Sequence, residues 1–330
     1  MSRSFYVYSD GTLSRKDNTL VFKNAEGEKR DLPIEDINDI YVMSEMSFNT
    51  AFLNLISKYG IAMHFFNYYQ FYTGSFYPKE QLLSGQLLVQ QTAAYMRPDK
   101  RLEIAQKIIV AASANIFRNL RYYNGRGKDV QNEMDVIASH RKHILQTRSI
   151  QELMGVEGNI RKEYYKAWDN IIDQDLKFEK RVMHPPDNEM NSLISFINSL
   201  IYTKVLSEIY KTQLNPTISY LHEPGNRRFS LALDVAEVFK PLIGDRLLFS
   251  LLNKKQITKR SFTDGLNGLQ LTKAASQTIV SELDERLSTT IKHRELGKNV
   301  SYQYLIRLEL YKLIKHLIGE KEYEGFEIWW

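Results

Sequence analysis

The sequence of 330 residues contains no cysteine and no long apolar run. The absence of cysteine excludes disulfide bonds, zinc–thiolate centres and thiol nucleophiles, and it is easiest to reconcile with a reducing cytoplasm. No segment approaches the roughly 18 apolar residues that span a bilayer, and the first residues lack an apolar core of signal-peptide length. The sequence therefore predicts a soluble, cytoplasmic protein that makes no contact with a membrane.

The positive charge is distributed unevenly along the chain. In total, 44 Lys and Arg residues stand against 39 Asp and Glu residues, which gives a formal net charge of +5. Residues 1–80 carry 8 basic and 10 acidic side chains, whereas the rest of the chain carries 36 and 29. A basic surface attracts anionic partners, so we expect any such partner to bind the second part of the chain.

The hydrophobic pattern changes near Pro78. Before it, short segments rich in Val, Ile, Tyr and Phe alternate with turns, which predicts a small β-sandwich-like domain over residues 1–78. One helix interrupts these strands over residues 52–59, and Gly60 ends it. Beyond Pro78 the apolar residues follow a helical period, which predicts a larger all-α domain over residues 79–330. The expected fold class is therefore α+β.

The chemically versatile residues lie in the second domain, so we expect the first domain to serve in assembly. Ser149, with Glu152 three residues later, is typical of a helix start. The helices of the second domain are predicted at residues 81–96, 98–124, 128–146, 149–173, 188–212 and 245–255, with two more between 272 and about 318. An acidic and aromatic tail of unassigned structure follows them.

Residues 214–242 hold the densest cluster of such side chains. His222 precedes a turn, and the helix after that turn carries Asp234 and Glu237, which share a face because they are three positions apart. A histidine facing two carboxylates has the composition of a divalent-metal site, although here it is at most half of one. Taken singly, the histidine is more often a hydrogen-bonded structural residue, and the acidic pair more often a surface or cap pair.

Glu157 is a further candidate, since it lies between Gly155 and Gly158, small residues that let a ligand or another chain come close. A lone glutamate in a helix is usually a solvated charge, and the spacing of Glu157 alone does not show whether it is such a charge or a functional residue. The basic turn after residue 226 and the basic segment from 254 to 260 likewise have an ordinary interpretation as solvated loops.

Three motifs stand in a characteristic order along the chain. They are G-x-E-G-x-x-R at residues 155–161, PP-D-N…N-S-L-I-S-F-x-N-S-L at 185–200, and N-P-x-x-x-x-L-H-E-P…S-L-A-L-D-V-x-E-x-F-K-P-L at 215–242. With them the whole chain resembles the CRISPR-associated spacer-acquisition integrase family, the larger, catalytic subunit of the CRISPR adaptation complex, also described as a metal-dependent DNA endonuclease. The third motif is long and unusual enough to be a strong signal.

The resemblance implies that Glu157, His222 and Glu237 are catalytic metal ligands. Asp234, the motif's own aspartate, is the fourth catalytic residue, which either binds a second metal or orients the ligands. Relatives often have aspartate where this chain has Glu237, so the arm here is longer by one methylene. One imidazole and two carboxylates without thiolates suit Mg²⁺ or Mn²⁺.

The resemblance also implies a DNA substrate, and the basic residues near the proposed ligands are the candidates for holding its backbone. Such contacts supply affinity without reading the base sequence. The candidates are Arg161, Arg227, Arg228, Lys240, Arg246, Lys254, Lys255, Lys259 and Arg260.

The leading prediction is an enzyme that inserts short DNA fragments, or spacers, into a CRISPR array by attack of a 3′-OH on a phosphodiester. Double-stranded and branched DNA are the expected substrates. By resemblance it forms a homodimer, and two homodimers flank a dimer of the smaller CRISPR-associated adaptation subunit in a heterohexamer; an end-trimming nuclease partner stays open. The alternatives are a stand-alone branched-DNA nuclease or repair enzyme, and a non-catalytic DNA-binding scaffold. The scaffold is disfavoured because Glu157, His222 and Glu237 are all present.

Overall fold

The computed structural model describes residues 3–78, 82–174, 176, 178, 180–182, 186–226, 228–265 and 268–330. The chain forms two compact units, Met1–Leu83 and Ser84–Trp330. The hydrophobic pattern of the sequence changes at Pro78, shortly before this division. None of the helices in the described ranges is long and apolar enough to cross a membrane.

In its described residues, the first unit contains two four-stranded sheets and one α-helix. The elements are β1 (Arg3–Val7), β2 (Gly11–Lys16), β3 (Thr19–Asn24), β4 (Lys29–Leu32), β5 (Ile37–Val42), β6 (Met46–Phe48), α1 (Thr50–Lys58), β7 (Ala62–Phe66) and β8 (Tyr72–Phe76). In the first sheet, with the order β1-β5-β7-β8, the first three strands are parallel and β8 is antiparallel to β7. In the second sheet, with the order β4-β3-β2-β6, only the β2–β6 pair is parallel.

One hydrophobic core serves both sheets and α1. Leu13 of the second sheet, Ile40 of the first and Phe52 of α1 all lie in it without solvent exposure. Burying a side chain of this size stabilises the fold by about 1.5–3 kcal/mol. The helix starts where the side chain of Asn49 accepts a hydrogen bond from the Phe52 N–H, and it ends before Gly60, whose φ of +66° suits glycine.

The second unit is mainly helical. A π-helical segment, Lys240–Asp245, joins two of its helices directly. The elements are α2 (Gly85–Met96), α3 (Pro98–Asn124), α4 (Gln131–Arg141), α5 (Ile150–Ile171), α6 (Glu189–Ile209), α7 (Ser230–Phe239), α8 (Arg246–Asn253), β9 (Phe262–Gly265), β10 (Gly268–Leu271), α9 (Lys273–Ser288), β11 (Thr290–Lys292), β12 (Asn299–Ser301) and α10 (Tyr302–Leu317).

The mixed helix and strand content agrees with the α+β class, but the prediction of an all-α second domain is wrong in one respect. The second unit contains two antiparallel two-stranded ribbons, β9–β10 and β11–β12. Each strand has three or four residues. A strand this short places at most two side chains on a face, so its alternation is too weak to recognise between helical segments.

Helix α7 lies at the centre of the second unit, in contact with α3 and α6, while α5 packs on α3. Nine of its ten residues are buried, and two of these are Asp234 and Glu237. A carboxylate that is removed from water requires hydrogen-bonding or charged partners. The residues around this helix must therefore provide partners for both Asp234 and Glu237, which lie one helical turn apart.

Candidate active site

Asp234 is fully buried and receives three backbone N–H groups in succession. Its Oδ2 atom accepts hydrogen bonds from Tyr220 at 2.6 Å and Leu221 at 2.9 Å, and its Oδ1 atom accepts one from His222 at 2.9 Å. Hydrogen bonds of this kind compensate the charge of a buried carboxylate. Asp234 thus fastens the chain segment before the turn onto α7.

His222 is held by the same carboxylate through its side chain. Its Nδ1 atom lies 2.8 Å from Oδ1 of Asp234. Because that oxygen is an acceptor, Nδ1 must carry the proton, which leaves Nε2 as the nitrogen with a lone pair in the neutral ring. A carboxylate that orients a histidine in this way is the usual support of a metal-binding imidazole.

The charges around His222 favour its protonated form. Burial lowers the pKa of the imidazole, but the hydrogen bond to Asp234 and the negative charges of Asp234 and Glu237 outweigh burial, so the pKa is raised above its ordinary value. Protonation of His222 is therefore favoured by the carboxylates on α7.

Glu237 has partners of a different kind, because both of its oxygens meet cationic side chains. Oε1 accepts a hydrogen bond from the Lys240 ammonium, and Oε2 accepts one from the Arg161 guanidinium. Burial raises the pKa of Glu237, but the charges of Lys240 and Arg161 prevail and lower it to about 2. Glu237 is therefore ionised at every physiological pH.

Arg161 connects two of the predicted ligands. It donates one hydrogen bond to Glu237 through Nη2 and another to Oε1 of Glu157 through Nε at 3.2 Å. Glu157 and Arg161 lie one turn apart on α5, whereas Glu237 comes from α7. The guanidinium therefore bridges the two carboxylates and holds α5 and α7 together at this point.

Among the described residues, no three acidic or histidine side chains are arranged to hold a metal ion. The guanidinium of Arg161 lies between the carboxylates of Glu157 and Glu237. The donor set itself fits a hard divalent cation: two carboxylates, and an imidazole whose Nε2 is directed away from its carboxylate partner. The side chains of Glu157 and His222 are 22% and 23% exposed, so solvent reaches both.

The predicted DNA-binding residues divide into three groups. Arg161 and Lys240 lie inside the site, paired with its carboxylates. Arg246 donates to Oδ1 of Asn119 at 2.7 Å, and Arg228 donates to the backbone carbonyl of Glu223, so each has a partner within the chain. Arg227 lies outside the described residues. The remaining four are exposed around the end of α8, namely Lys254, Lys255, Lys259 and Arg260.

The motif at residues 185–200 has a structural role in its described part. Asn188 caps α6, since its side chain accepts a hydrogen bond from the Asn191 N–H at 2.8 Å. The side chain of Asn191 then donates to Oδ1 of Asp187 at 2.7 Å.

Beside Glu157, both Gly155 and Gly158 face open space in which an added Cβ would meet nothing within 4 Å. The surface of α5 is therefore uncovered at both glycines.

Sequence reasoning missed Asp245, the last residue of the π-helical segment. Burial raises the pKa of this carboxyl group to about 7, despite the positive charge of Arg161 and a hydrogen bond with Tyr164. Among the described residues, nothing donates to its Oδ2 atom. The available signal was an adjacent acidic and basic residue, Asp245 and Arg246, within the otherwise apolar run from 241 to 249.

These features define a class of protein: an α+β chain whose helical unit joins an Asp–His pair to two glutamates that one arginine bridges. The chain matches the family model of CRISPR associated protein Cas1 over residues 5–285. It belongs to the Cas1 family, which confirms the resemblance indicated by the three motifs.

Similar proteins cover the whole chain. The CRISPR-associated endonuclease Cas1 of Fusobacterium nucleatum subsp. nucleatum is 62% identical over 330 residues, covering 100% of this chain and 98% of the relative. The protein of the same name from Methanocaldococcus jannaschii is 45% identical over 327 residues, covering 99% of each.

Solved structures show the same fold. A CAS1 protein from Thermotoga maritima superposes with a TM-score of 0.87 at 40% identity, covering 98% of this chain and 99% of that one. A casposase bound to its integration product gives a TM-score of 0.85 at 19% identity, covering 97% of this chain and 92% of that one. At that level of identity the second likeness concerns the fold alone.

Proposed function

We propose that this protein is a metal-dependent DNA integrase and endonuclease that joins short DNA fragments to a CRISPR array through attack of a 3′-OH on a phosphodiester. Membership of the Cas1 family and relatives named CRISPR-associated endonuclease support the proposal. The observation that carries it is the junction of α5 and α7, where Arg161 links Glu157 to Glu237 and Asp234 orients His222.

In this proposal Glu157, Glu237 and Nε2 of His222 hold Mg²⁺ or Mn²⁺. When bound, such an ion polarises the phosphodiester and neutralises charge on its non-bridging oxygens. Asp234 keeps the proton of His222 on Nδ1, so that Nε2 stays directed away from it. The backbone amides that surround Asp234 fix this arrangement before any substrate arrives.

Arg161 and Lys240 add positive charge beside the same carboxylates. Arg161 also donates a hydrogen bond to Glu157, so a single guanidinium connects the two carboxylates. Both cations keep Glu237 ionised. Their charges also attract the phosphates of DNA, an effect that is strong where water is partly excluded. The two cations therefore serve the carboxylates and the substrate together.

A second basic region, the exposed residues Lys254, Lys255, Lys259 and Arg260, holds the DNA backbone in this proposal, together with Arg227, Arg228 and Arg246. Replacing the four exposed residues by alanine should weaken DNA binding and flatten its dependence on salt concentration, because fewer counterions are released. Binding curves measured at several salt concentrations check this. An unchanged slope would remove the region from the interface.

The assembly is part of the proposal and rests on family membership. The first unit forms the homodimer, and two homodimers flank a dimer of the smaller CRISPR-associated adaptation subunit. Analytical ultracentrifugation of the full chain, alone and with that subunit, tests this assembly. A chain that remains monomeric under both conditions would contradict it.

The decisive experiment supplies a short duplex with free 3′-OH ends, a supercoiled plasmid carrying an array, and Mn²⁺. Joining appears as a labelled fragment covalently attached to the plasmid. The matched control is the same duplex with 3′-deoxy ends, which binds equally but lacks the nucleophile. Cleavage of branched DNA without joining would favour a stand-alone nuclease or repair enzyme, and binding without either reaction would favour a scaffold.

A further inference from the structure

The acidic and aromatic tail after α10, residues 320–330, is docked on the second unit. It contains no helix or strand, yet Tyr323, Phe326 and Ile328 are buried. The side chains between them, including those of Glu324 and Glu327, are exposed. The segment therefore presents one apolar side to the protein and one acidic side to solvent.

Glu309 of α10 forms the first anchor of the tail. Its Oε1 atom accepts hydrogen bonds from the Tyr323 hydroxyl at 2.6 Å and from the Phe326 N–H at 2.9 Å. Between these two residues the chain presses against α3, since a Cβ on Gly325 would lie 2.4 Å from the Cβ of Ala111. Only glycine fits at this approach without a shift of the backbone.

Asn115 of α3 forms the second anchor, and it also holds α7. Its Oδ1 atom accepts the Ile328 N–H at 2.7 Å, and its Nδ2 atom donates to the Phe326 carbonyl at 2.9 Å. The same Nδ2 atom donates to the carbonyl of Val238 at 2.9 Å. Two donor hydrogens and an acceptor are what a single amide provides, so asparagine meets all three demands.

The tail also touches α7 directly. The ring of Phe326 stacks on that of Phe239, with centroids 5.5 Å apart and planes 16° from parallel. Val238 and Phe239 are the two residues that follow Glu237. Both contacts thus lie at the end of α7 that carries the glutamate of the site.

This end of α7 needs outside support because the helix is interrupted there. Pro241 has no N–H to donate, and the π-helical segment widens the following turn. The side chain of Asn119, one turn after Asn115 on α3, donates to the carbonyl of Pro241 at 2.7 Å. Two asparagines of α3 therefore hold the interrupted region, and one of them is shared with the tail.

We infer that residues 320–330 are a positioning element of the active site, which fixes the end of α7, and with it the carboxylate of Glu237, through Asn115 and Phe239. The inference rests on the proposed function for its effect on catalysis. The tail and its anchor Glu309 lie beyond residue 285, where the match to the family model ends.

The test compares Phe326→Ala with Glu324→Ala, a matched control whose side chain is exposed in the same segment. We expect Phe326→Ala to lower kcat for strand joining by about 10- to 100-fold, since small misplacements of a catalytic group have effects of this size. The KM for DNA should stay unchanged, because the basic surfaces are untouched. Hydrogen exchange of the α7 amides should become faster in Phe326→Ala and stay at the wild-type rate in Glu324→Ala.

Phe326→Leu, which keeps an apolar side chain but loses the ring, provides the comparison if Phe326→Ala does not fold. Wild-type kcat together with wild-type exchange of α7 in a folded Phe326 variant would overturn the inference. If the wild-type protein itself joins no DNA, the proposed function fails, whereas the exchange measurement still decides whether the tail holds α7.

Discussion

Two carboxylates one turn apart on α7 lie in surroundings of opposite kinds. Asp234 is bound by the backbone amides of residues 220–222 and by the ring of His222. Glu237 is bound by the flexible cationic side chains of Lys240 and Arg161. Backbone amides are a permanent part of the fold, whereas long side chains can turn away at the cost of a rotamer change.

The difference assigns the two acids different tasks. Removing Asp234 would leave buried N–H groups without an acceptor, so it would destabilise the fold as well as release the ring of His222. Removing Glu237 would leave two mostly buried cations, Arg161 and Lys240, without this carboxylate, and a gap in the proposed ligand set. Asp234 and Glu237 are both buried acids on one helix, but their hydrogen-bond donors differ. Backbone donors mark Asp234 as a structural partner, and side-chain donors mark Glu237 as a candidate ligand.

The largest effect is expected from the proposed ligands. Glu157→Ala and His222→Ala should each reduce joining and cleavage by about a thousandfold or more, since several kcal/mol of charge stabilisation is lost. The plasmid joining assay measures this, with circular dichroism and a gel-shift assay to show that folding and DNA binding persist. Retained metal-dependent activity in either variant would remove that residue from the mechanism.

Next in size is the effect of Asp234→Ala on stability. Three backbone N–H groups lose their acceptor, so the free energy of unfolding should fall by about 3 kcal/mol or more. Urea unfolding followed by tryptophan fluorescence measures it, with Glu237→Ala as the matched variant. Equal losses in the two variants would break the distinction between the acids.

Asp245 is a third buried acid near this site. Unlike Glu237, it has partners whose effect on its pKa is smaller than the effect of burial. Its pKa is raised from 3.8 to about 7 in the folded protein. Between these values the folded state binds more protons than the unfolded state, so stability should fall as the pH rises, by at most about 1.4 kcal/mol per unit. Unfolding curves from pH 4 to 8 should show a flatter dependence in Asp245→Asn. Exposed Asp135→Asn is the control, and a slope unchanged by Asp245→Asn would contradict the assignment.

The smallest effect is expected from Glu237→Asp, which shortens the side chain by one methylene. It keeps the charge, so it should retain more joining activity than Glu237→Ala in the same assay. A loss equal to that of the alanine variant would mean that the arm length is adjusted to the bridge made by Arg161.

Local features of the fold could be predicted from the sequence because their causes are local. The start of α5 is an example: Ser149 accepts the Glu152 N–H at 3.1 Å, and Glu152 accepts the Arg148 N–H at 2.7 Å. The helix ended by Gly60 is another. In each case the residues that make the contact lie within four positions of one another.

The contacts that organise the site could not be predicted in this way. Arg161 meets Glu237 across 76 positions of the chain, and Asn115 meets the tail across more than 200. Such pairs depend on how the helices pack against one another, and the hydrophobic periodicity of the sequence does not predict that packing. The motifs named the residues of the site through resemblance, but they gave no indication that two cations would hold its carboxylates.

The most direct test of the account is a titration of the metal-free protein with Mn²⁺, followed by electron paramagnetic resonance. The wild-type protein should bind Mn²⁺ saturably. Binding should be at least about tenfold weaker in Glu157→Gln and Glu237→Gln, and unchanged in Asp135→Asn, since removing a ligand costs more than the 10-fold typical of its supporting groups. Wild-type affinity in both glutamate variants would show that Mn²⁺ does not bind between α5 and α7.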